Sequence, residues 1–286
     1  MEYQFVKDYK ENKMLRESFS RLVKETFGID FAKWYDAGGW NRHYIPYSFS
    51  YDNRIVANVS VNTMQLMILG ELHKAIQIGT VMTEENHRGK GLASRLMEQV
   101  LEDFDEEYSI YFLAADEKAV PLYKRYGFSP IKTERFILDT SSYRKREKPL
   151  IPEKISIEDL LEFKRNSLPL STKLSAIGDE HILVFYYVHG FDHFIYKLPD
   201  SILVLFEVEG NELHLYDVFS KKEYDLIDII EKILPEDTEK VIFHFTPDGD
   251  LEGLSTEEDP EAGWMIRNIG KLELPENLAF PDISKA

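Results

Sequence analysis

The apolar positions of the first half change period twice. Met14, Leu15, Phe19, Leu22, Val23 and Phe27 recur every three or four residues, which predicts a helix over residues 12–27. A second, shorter helix over 31–40 stops at Gly38-Gly39. The pattern then turns β-rich over 44–51, 54–69 and 74–83, with turns at Asp52-Asn53 and Leu69-Gly70-Glu71. Turns this short between successive strands predict an antiparallel meander. A polar loop, Glu84 to His87, leads into Arg88-Gly89-Lys90-Gly91, and helical spacing returns at once. Leu92, Ala93, Leu96, Met97, Val100, Leu101 and Phe104 share one face, with Arg95, Glu98, Gln99, Glu102 and Asp103 opposite. A strand over 109–114, a short helix over 118–126 stopped by Gly127, and a strand over 135–138 give the order ααβββαβαβ.

Residues 140–152 hold the basic run Arg144-Lys145-Arg146, then Pro149 and Pro152, and are expected to be a linker. Beyond them a helix is predicted over 156–164 and strands over 182–188, 202–208 and 212–218. The last two form a hairpin across Glu209-Gly210-Asn211. A helix over 225–234 and strands over 241–245 and 264–267 complete the chain. The fold class is therefore α+β (mixed α/β), with a domain over 1–140, a linker over 141–152 and a smaller α/β domain over 153–286.

The length of 286 residues agrees with two domains. Charge separates the halves further. Residues 1–146 carry 21 basic and 21 acidic side chains, while 147–286 carry 13 and 30, so the whole net charge of −17 sits in the second half. Neither half has the Lys/Arg footprint of a general nucleic-acid binder. The absence of cysteine excludes disulfides, Cys-ligated zinc and a thiol nucleophile. The N-terminus lacks the apolar stretch of a secretory signal, and no apolar run approaches the roughly 20 residues of a membrane span. A soluble, cytoplasmic protein with no membrane partner is expected. The acidic run Asp248, Asp250, Glu252, Glu257, Glu258, Asp259 and Glu261 is expected to be a solvated loop. Gly253 fits the sixth position of an EF-hand loop, but Asp259 stands where its twelfth-position Glu belongs, and no metal is expected.

The turn from Arg88 to Ala93 joins a strand to a helix start, where unpaired amides and the helix dipole suit a phosphate. A flexible glycine loop with two solvated bases is the plainer reading of the same residues. A Walker loop is excluded because Gly89-Lys90 is followed by Gly91 instead of Ser or Thr. A dinucleotide fingerprint fits poorly, since the preceding strand belongs to an antiparallel meander. Two blocks together are more specific. Arg88-x-x-Gly91-x-Ala93, after the strand residues Ile76 to Thr83, resembles the acetyl-CoA signature of the GNAT acetyltransferase superfamily. Ala119-Val120-Pro121-Leu122-Tyr123-Lys124-Arg125-Tyr126-Gly127-Phe128 is similar to that family's A-x-x-L-Y-x-x-x-G-F element. The resemblance covers about residues 1–140.

The resemblance implies a mostly antiparallel central sheet, splayed and flanked by helices, and acetyl-CoA as cosubstrate. It implies that the backbone of Val81, Met82 and Thr83 pairs with the pantetheine arm. The turn of Arg88, Gly89, Lys90, Gly91, Leu92, Ala93 and Ser94 would cradle the pyrophosphate. Asp116 stands where the family often has an Asn, an acceptor without the amide donor. Tyr123 matches the family tyrosine that protonates the leaving thiolate; a core aromatic is the plainer reading. A tyrosine pKa near 10 against a thiol pKa near 8.5 makes that transfer plausible. With no Cys for an acyl-enzyme, direct attack by an amine in a ternary complex is expected. The base is not identified: 75–83 has no Asp, Glu or His, and the nearby candidates are His73, Glu84, Glu85 and His87, each more plainly an exposed loop residue, or a water chain.

Nine aromatic residues lie within 27–51, in the region that flanks the acceptor cleft of GNAT folds. Trp34, Tyr35 and Trp40 are the candidates for an acceptor pocket, where aromatic faces attract a cationic amine. A filled core is the competing account. The second half has a strand–strand–helix–strand order but no R-x-x-G-x-A between residues 218 and 225. Its arrangement resembles the tandem, degenerate second copy of Eis-type acetyltransferases, without their further C-terminal domain. The expected activity is N-acetylation of a primary amine on a small molecule in preference to a protein, by a monomer or homodimer. The alternative is a non-catalytic acyl-CoA-binding regulatory or scaffold protein.

Overall fold

A computed structural model of the chain describes residues 2–148, 150–259 and 263–286. In chain order the first half contains β1 (Gln4–Lys7), α1 (Lys13–Phe27), α2 (Phe31–Asp36), β2 (Tyr44–Tyr51), β3 (Arg54–Ile68), β4 (Glu71–Thr83), α3 (Leu92–Phe104), β5 (Ile110–Ala114), α4 (Val120–Lys124), β6 (Ser129–Pro130) and β7 (Glu134–Asp139). The rest contains α5 (Ile157–Asn166), β8 (Leu174–Ile177), α6 (Glu180–Val188), β9 (Ile195–Leu198), β10 (Ile202–Glu209), β11 (Glu212–Phe219), α7 (Leu226–Ile233), β12 (Lys240–Phe243), β13 (Leu254–Glu258) and β14 (Trp264–Asn268).

Two mixed sheets result. The first runs β1-β2-β3-β4-β5-β14-β6, with β8 added on β3, and the second runs β13-β7-β12-β11-β10-β9. They share one plan. In the first, β2, β3 and β4 form a meander, α3 crosses over, and β5 returns parallel to β4. In the second, β9, β10 and β11 form the meander, α7 crosses over, and β12 returns parallel to β11. The second half is thus a GNAT-like repeat, as its strand order suggested.

The halves exchange a strand. β7 follows β6 in the chain, yet it pairs between β12 and β13. Reciprocally, β14 follows β13 but pairs between β5 and β6. The sheets therefore do not divide where the chain was expected to, since the 135–138 strand closes the second sheet. Arg267 on β14 locks the exchange with a bidentate pair to Asp105, at 2.6 and 2.7 Å, just past α3. Residues 140–146, inside the expected linker, are bonded to the second sheet. Thr140 Oγ1 donates to Thr238 O at 2.7 Å, and Arg146 N to Leu234 O at 2.9 Å. Pro149 of that stretch, and Glu261 of the acidic run, lie outside the described residues.

Three further differences from expectation have physical causes. Residues 182–188 form helix α6, not a strand. Its run of Ile, Leu, Val, Phe and Tyr is apolar on every side because α6 is packed between α2, α5 and the C-terminal segment. β-branched and aromatic composition alone does not separate such a helix from a buried strand. The acidic run is not a loop throughout, because residues 254–258 pair with β7 as β13. Nor is Asp248 simply solvated: it accepts from Ser171 Oγ and Thr172 N, both at 2.7 Å.

Candidate active site

The first sheet opens at its centre. β4 pairs with β5 only at Ala75–Ile110, Ile76–Tyr111 and Gln77–Phe112; beyond Gln77 the strands part. A bulge turns β4 away: the register against β3 shifts between Asn58 and Ser60, and Thr80 sits at φ +49°. A β-branched residue there is strained by roughly 1–3 kcal/mol. A buried polar network holds it. Ser48 Oγ, in contact with Tyr9 Oη at 2.8 Å, donates to Asn58 Oδ1 at 2.7 Å. Asn58 Nδ2 donates to Ser60 Oγ and to Thr80 O, both at 2.8 Å. Ser60 Oγ donates to Tyr44 Oη at 2.7 Å, and Tyr44 Oη donates to Thr80 Oγ1 at 3.3 Å.

On the α3 face, β4 runs past a short 3₁₀ turn into the glycine turn. Gly89 and Gly91 have φ of +73° and +71°, a region open to glycine at little cost. Gly91 is the N-cap of α3 and offers no capping side chain. The amides of Leu92, Ala93 and Ser94 thus begin a helix without intrahelical partners. Arg88 Nε donates to Thr83 O at 3.0 Å, and Lys90 Nζ donates to Asn86 O at 2.9 Å, so both bases stay beside the turn. Val81 is half-buried and Met82 buried, and Thr83 ends β4 at the turn.

Two of the base candidates serve this loop. His87 Nδ1 meets Tyr3 Oη at 3.0 Å, and Glu84 pairs with Arg21 at 3.3 Å and His87 at 3.5 Å. Glu85 is exposed, and His73 lies at the other end of β4, opposite Leu66.

Tyr123 lies on α4, buried against Phe128 in the core that includes α3. Among the described residues its hydroxyl has no hydrogen-bond partner. Burial, and then the Asp116 carboxylate, push its pKa up to about 12, so it stays protonated at neutral pH and can donate. Asp116 is exposed, and its carbonyl starts α4 by accepting from Ala119 N at 2.8 Å.

A cavity of about 190 Å³ lies on the opposite face of the opened sheet. Its walls are aromatic and aliphatic, from Phe27, Ile29, Phe31, Trp34, Tyr44, Ile182 and Phe185. Asn62, Thr80 and His181 supply polar groups, and Lys285 and Ala286 close one side. Of the expected pocket residues Trp34 alone lines it. Trp34 Nε1 donates to His181 O at 2.7 Å, tying α2 to α6. Gly39 makes room for this, since a Cβ there would lie 2.0 Å from Trp34 Nε1. Trp40 is buried behind Trp34 against Tyr9 and Phe19, and Tyr35 lies under the Arg16 guanidinium at 4.1 Å. Both belong to the core under α1 and α2.

His181 and Asn62 went unnoticed in the sequence. His181 is 1% exposed, and burial pulls its pKa down to about 3, against the nearby Asp179 charge. Asn62 Nδ2 donates to Gln77 O at 3.2 Å, so its Oδ1 faces His181 Nε2 at 3.0 Å and assigns the proton to Nε2. His181 Nδ1 is then a buried acceptor with no partner among the described residues. The available signal was the alternation Asn58-Val59-Ser60-Val61-Asn62. In a half-exposed sheet its polar side faces water, but here all three polar residues are at most 1% exposed.

Residues 12–131 match the family model described as Acetyltransferase (GNAT) domain. This segment is a GNAT domain. Eis1 from Mycobacterium abscessus superposes with a TM-score of 0.63 at 10% identity, over 94% of this chain and 73% of that one. A GCN5-related N-acetyltransferase from Kribbella flavida gives 0.59 at 14%, over 94% and 72%. Saccharomyces cerevisiae N-myristoyltransferase, solved with myristoyl-CoA, gives 0.51 at 12%, over 94% and 79%. No curated protein matches the chain in sequence. The GNAT domain followed by a GNAT-like repeat is the Eis-type layout, and its general chemistry is acyl transfer from an acyl-CoA-type donor. Among the described residues, no helix is long and apolar enough to cross a membrane.

Proposed function

We propose that the protein is an acetyl-CoA-dependent N-acetyltransferase acting on a primary amine of a small molecule. The observation that carries the reading is the opening of β4 from β5 between two unlike surfaces. On one side lie the glycine turn at the head of α3 and the unpartnered Tyr123 hydroxyl. On the other lies the cavity. A CoA-type donor is supported by this chain's own features: a Cβ built at Gly89 or Gly91 meets nothing within 4 Å, so the turn has room for a bulky anion. The thioester supplies an activated acetyl group. Gly89 to Ser94 would hold the pyrophosphate with backbone amides, with Arg88 and Lys90 adding charge. The edge of Val81 to Thr83, left without a strand partner where β5 parts from β4, would hold the pantetheine arm.

In the proposed reaction the amine nitrogen attacks the thioester carbonyl and the C–S bond breaks. Tyr123 Oη donates its proton to the departing sulfur and recovers one, through solvent, from the acylated nitrogen. Proximity across the opened sheet accounts for much of the rate. Titration calorimetry with acetyl-CoA, together with free-CoA release over an amine panel, tests the reading. Binding plus amine-dependent release is expected. Tight binding without release for any amine would point to a non-catalytic acyl-CoA binder, and absent binding would overturn both.

A further inference from the structure

We infer that the cavity opposite the glycine turn selects an amine carrying an aryl or comparably large apolar group over a polycationic amine. The inference rests on the N-acetyltransferase reading and names the acceptor class for the same site. Phe31, Trp34, Ile182 and Phe185 give it apolar walls, and among the described residues no Asp or Glu side chain lines it. The described acidic side chains of residues 147–286 lie elsewhere. A second ammonium of a polyamine, desolvated between those walls, would find no carboxylate side chain to pair with. An aromatic ring there is desolvated favourably.

Polar groups gather at one end of the cavity: Thr80 at the bulge, Asn62, His181 and the main chain of Ala286, whose N–H donates to Gln77 Oε1 at 2.6 Å. His181 Nδ1, buried and unpartnered, is an acceptor held in reserve beside them. An acceptor whose nitrogen lies at that end, next to the opening of β4, places its apolar body against Phe185 and Trp34. The volume of about 190 Å³ suits a body of one ring with a short side chain.

The test measures kcat/KM with acetyl-CoA for 2-phenylethylamine, ethanolamine and spermidine, in the wild type and in Phe185→Ala. Phenylethylamine should exceed both other amines by ~10-fold or more. Phe185→Ala should lower phenylethylamine turnover by ~10-fold, and by more than it lowers ethanolamine turnover. Unchanged acetyl-CoA affinity shows that the variant is folded. A preference for spermidine, or an equal loss for both amines in Phe185→Ala, overturns the inference and leaves the N-acetyltransferase reading intact. So does a gain from hexanoyl-CoA with ethanolamine that Phe185→Ala abolishes, since the cavity would then hold the donor's acyl chain. Acetyl-CoA binding with no amine acetylated overturns the reading itself and this inference with it.

Discussion

Gly91 permits the proposed phosphate role of the turn to be separated from its structural role. The residue sits at φ +71°, and a Cβ built on it meets nothing within 4 Å. Gly91→Ala therefore creates no clash. Its cost is the left-handed backbone alone, about 1–2 kcal/mol. Gly91→Asp carries the same strain, and a carboxylate at a helix N-terminus is favourable to the fold by a few tenths to about 1 kcal/mol. The two variants should thus lose similar stability in urea unfolding. Their effects on binding should diverge. With two phosphate charges about 5 Å from the new carboxylate, an effective dielectric of 20–80 gives an opposing energy of roughly 2–7 kcal/mol. This weakens CoA by about thirty-fold or more. Calorimetry with free CoA is the assay, because it needs no turnover. CoA binding at wild-type strength in Gly91→Asp would refute the placement of the phosphates. Equal loss in both variants would show that the turn's shape, and not charge, governs the affinity.

Tyr123→Phe should lower kcat by ~100-fold while changing acetyl-CoA affinity less than about two-fold; unchanged kcat would remove its role as acid. With the hydroxyl's pKa raised to about 12, Tyr123 should also cause no loss of kcat between pH 7 and 9. His181 should leave a mark on stability. Its pKa falls from 6.5 to about 3 on folding, so below pH 6.5 the unfolded chain binds a proton that the folded one does not. Its contribution is intact above pH 6.5 and is lost as pH falls toward 3, by up to about 1.4 kcal/mol per pH unit. Urea unfolding of His181→Gln should show a shallower decline over that window; parallel declines would contradict it. Finally, residues 1–146 and 147–286 expressed separately should each lack a stable tertiary fold by near-UV circular dichroism. Each lacks the strand its sheet takes from the other, and co-expression should restore the signal. A cooperatively folded 1–146 fragment would contradict the strand exchange as a condition of folding.

The elements of the GNAT domain were legible because each carries its own period or punctuation. Strict spacing marked α1 and α3, tight turns marked the meander, and two short motifs marked the turn and α4. What was not legible depends on long-range pairing. Nothing in Glu134–Asp139 says that its neighbours are β12 and β13 instead of β5 and β6. Trp34 and Trp40 are near in sequence and alike in chemistry, but the approach of α6, a second-half element, leaves one on the cavity and the other behind it. His181 was hidden by the same cause: residues 182–188 resembled a strand, which gave no reason to place the preceding His beside Asn62. Local patterns fix elements, and the cavity is built by elements from both halves.

The repeat shows why one half has a cofactor motif and the other does not. At the head of α3 stands Gly91, without a side chain; at the head of α7 stands Asp225, whose carboxylate accepts from Ile227 N at 2.9 Å. The second helix start therefore holds its own anion where the first is open to one. The parting of β11 from β12 is also taken. Ile283 packs in the cluster of Tyr216 and Phe219, while Asp282 N donates to His244 O at 3.0 Å and Ala279 N to Thr246 Oγ1 at 2.8 Å. The same segment continues to Lys285 and Ala286, which close the cavity of the first half. Ser284 Oγ, 2.5 Å from Asp179 Oδ2, ties it to the loop that starts α6. One segment thus fills the gap of the second sheet and closes the cavity of the first, so on the proposed function the second half would act through α6 and the segment it anchors.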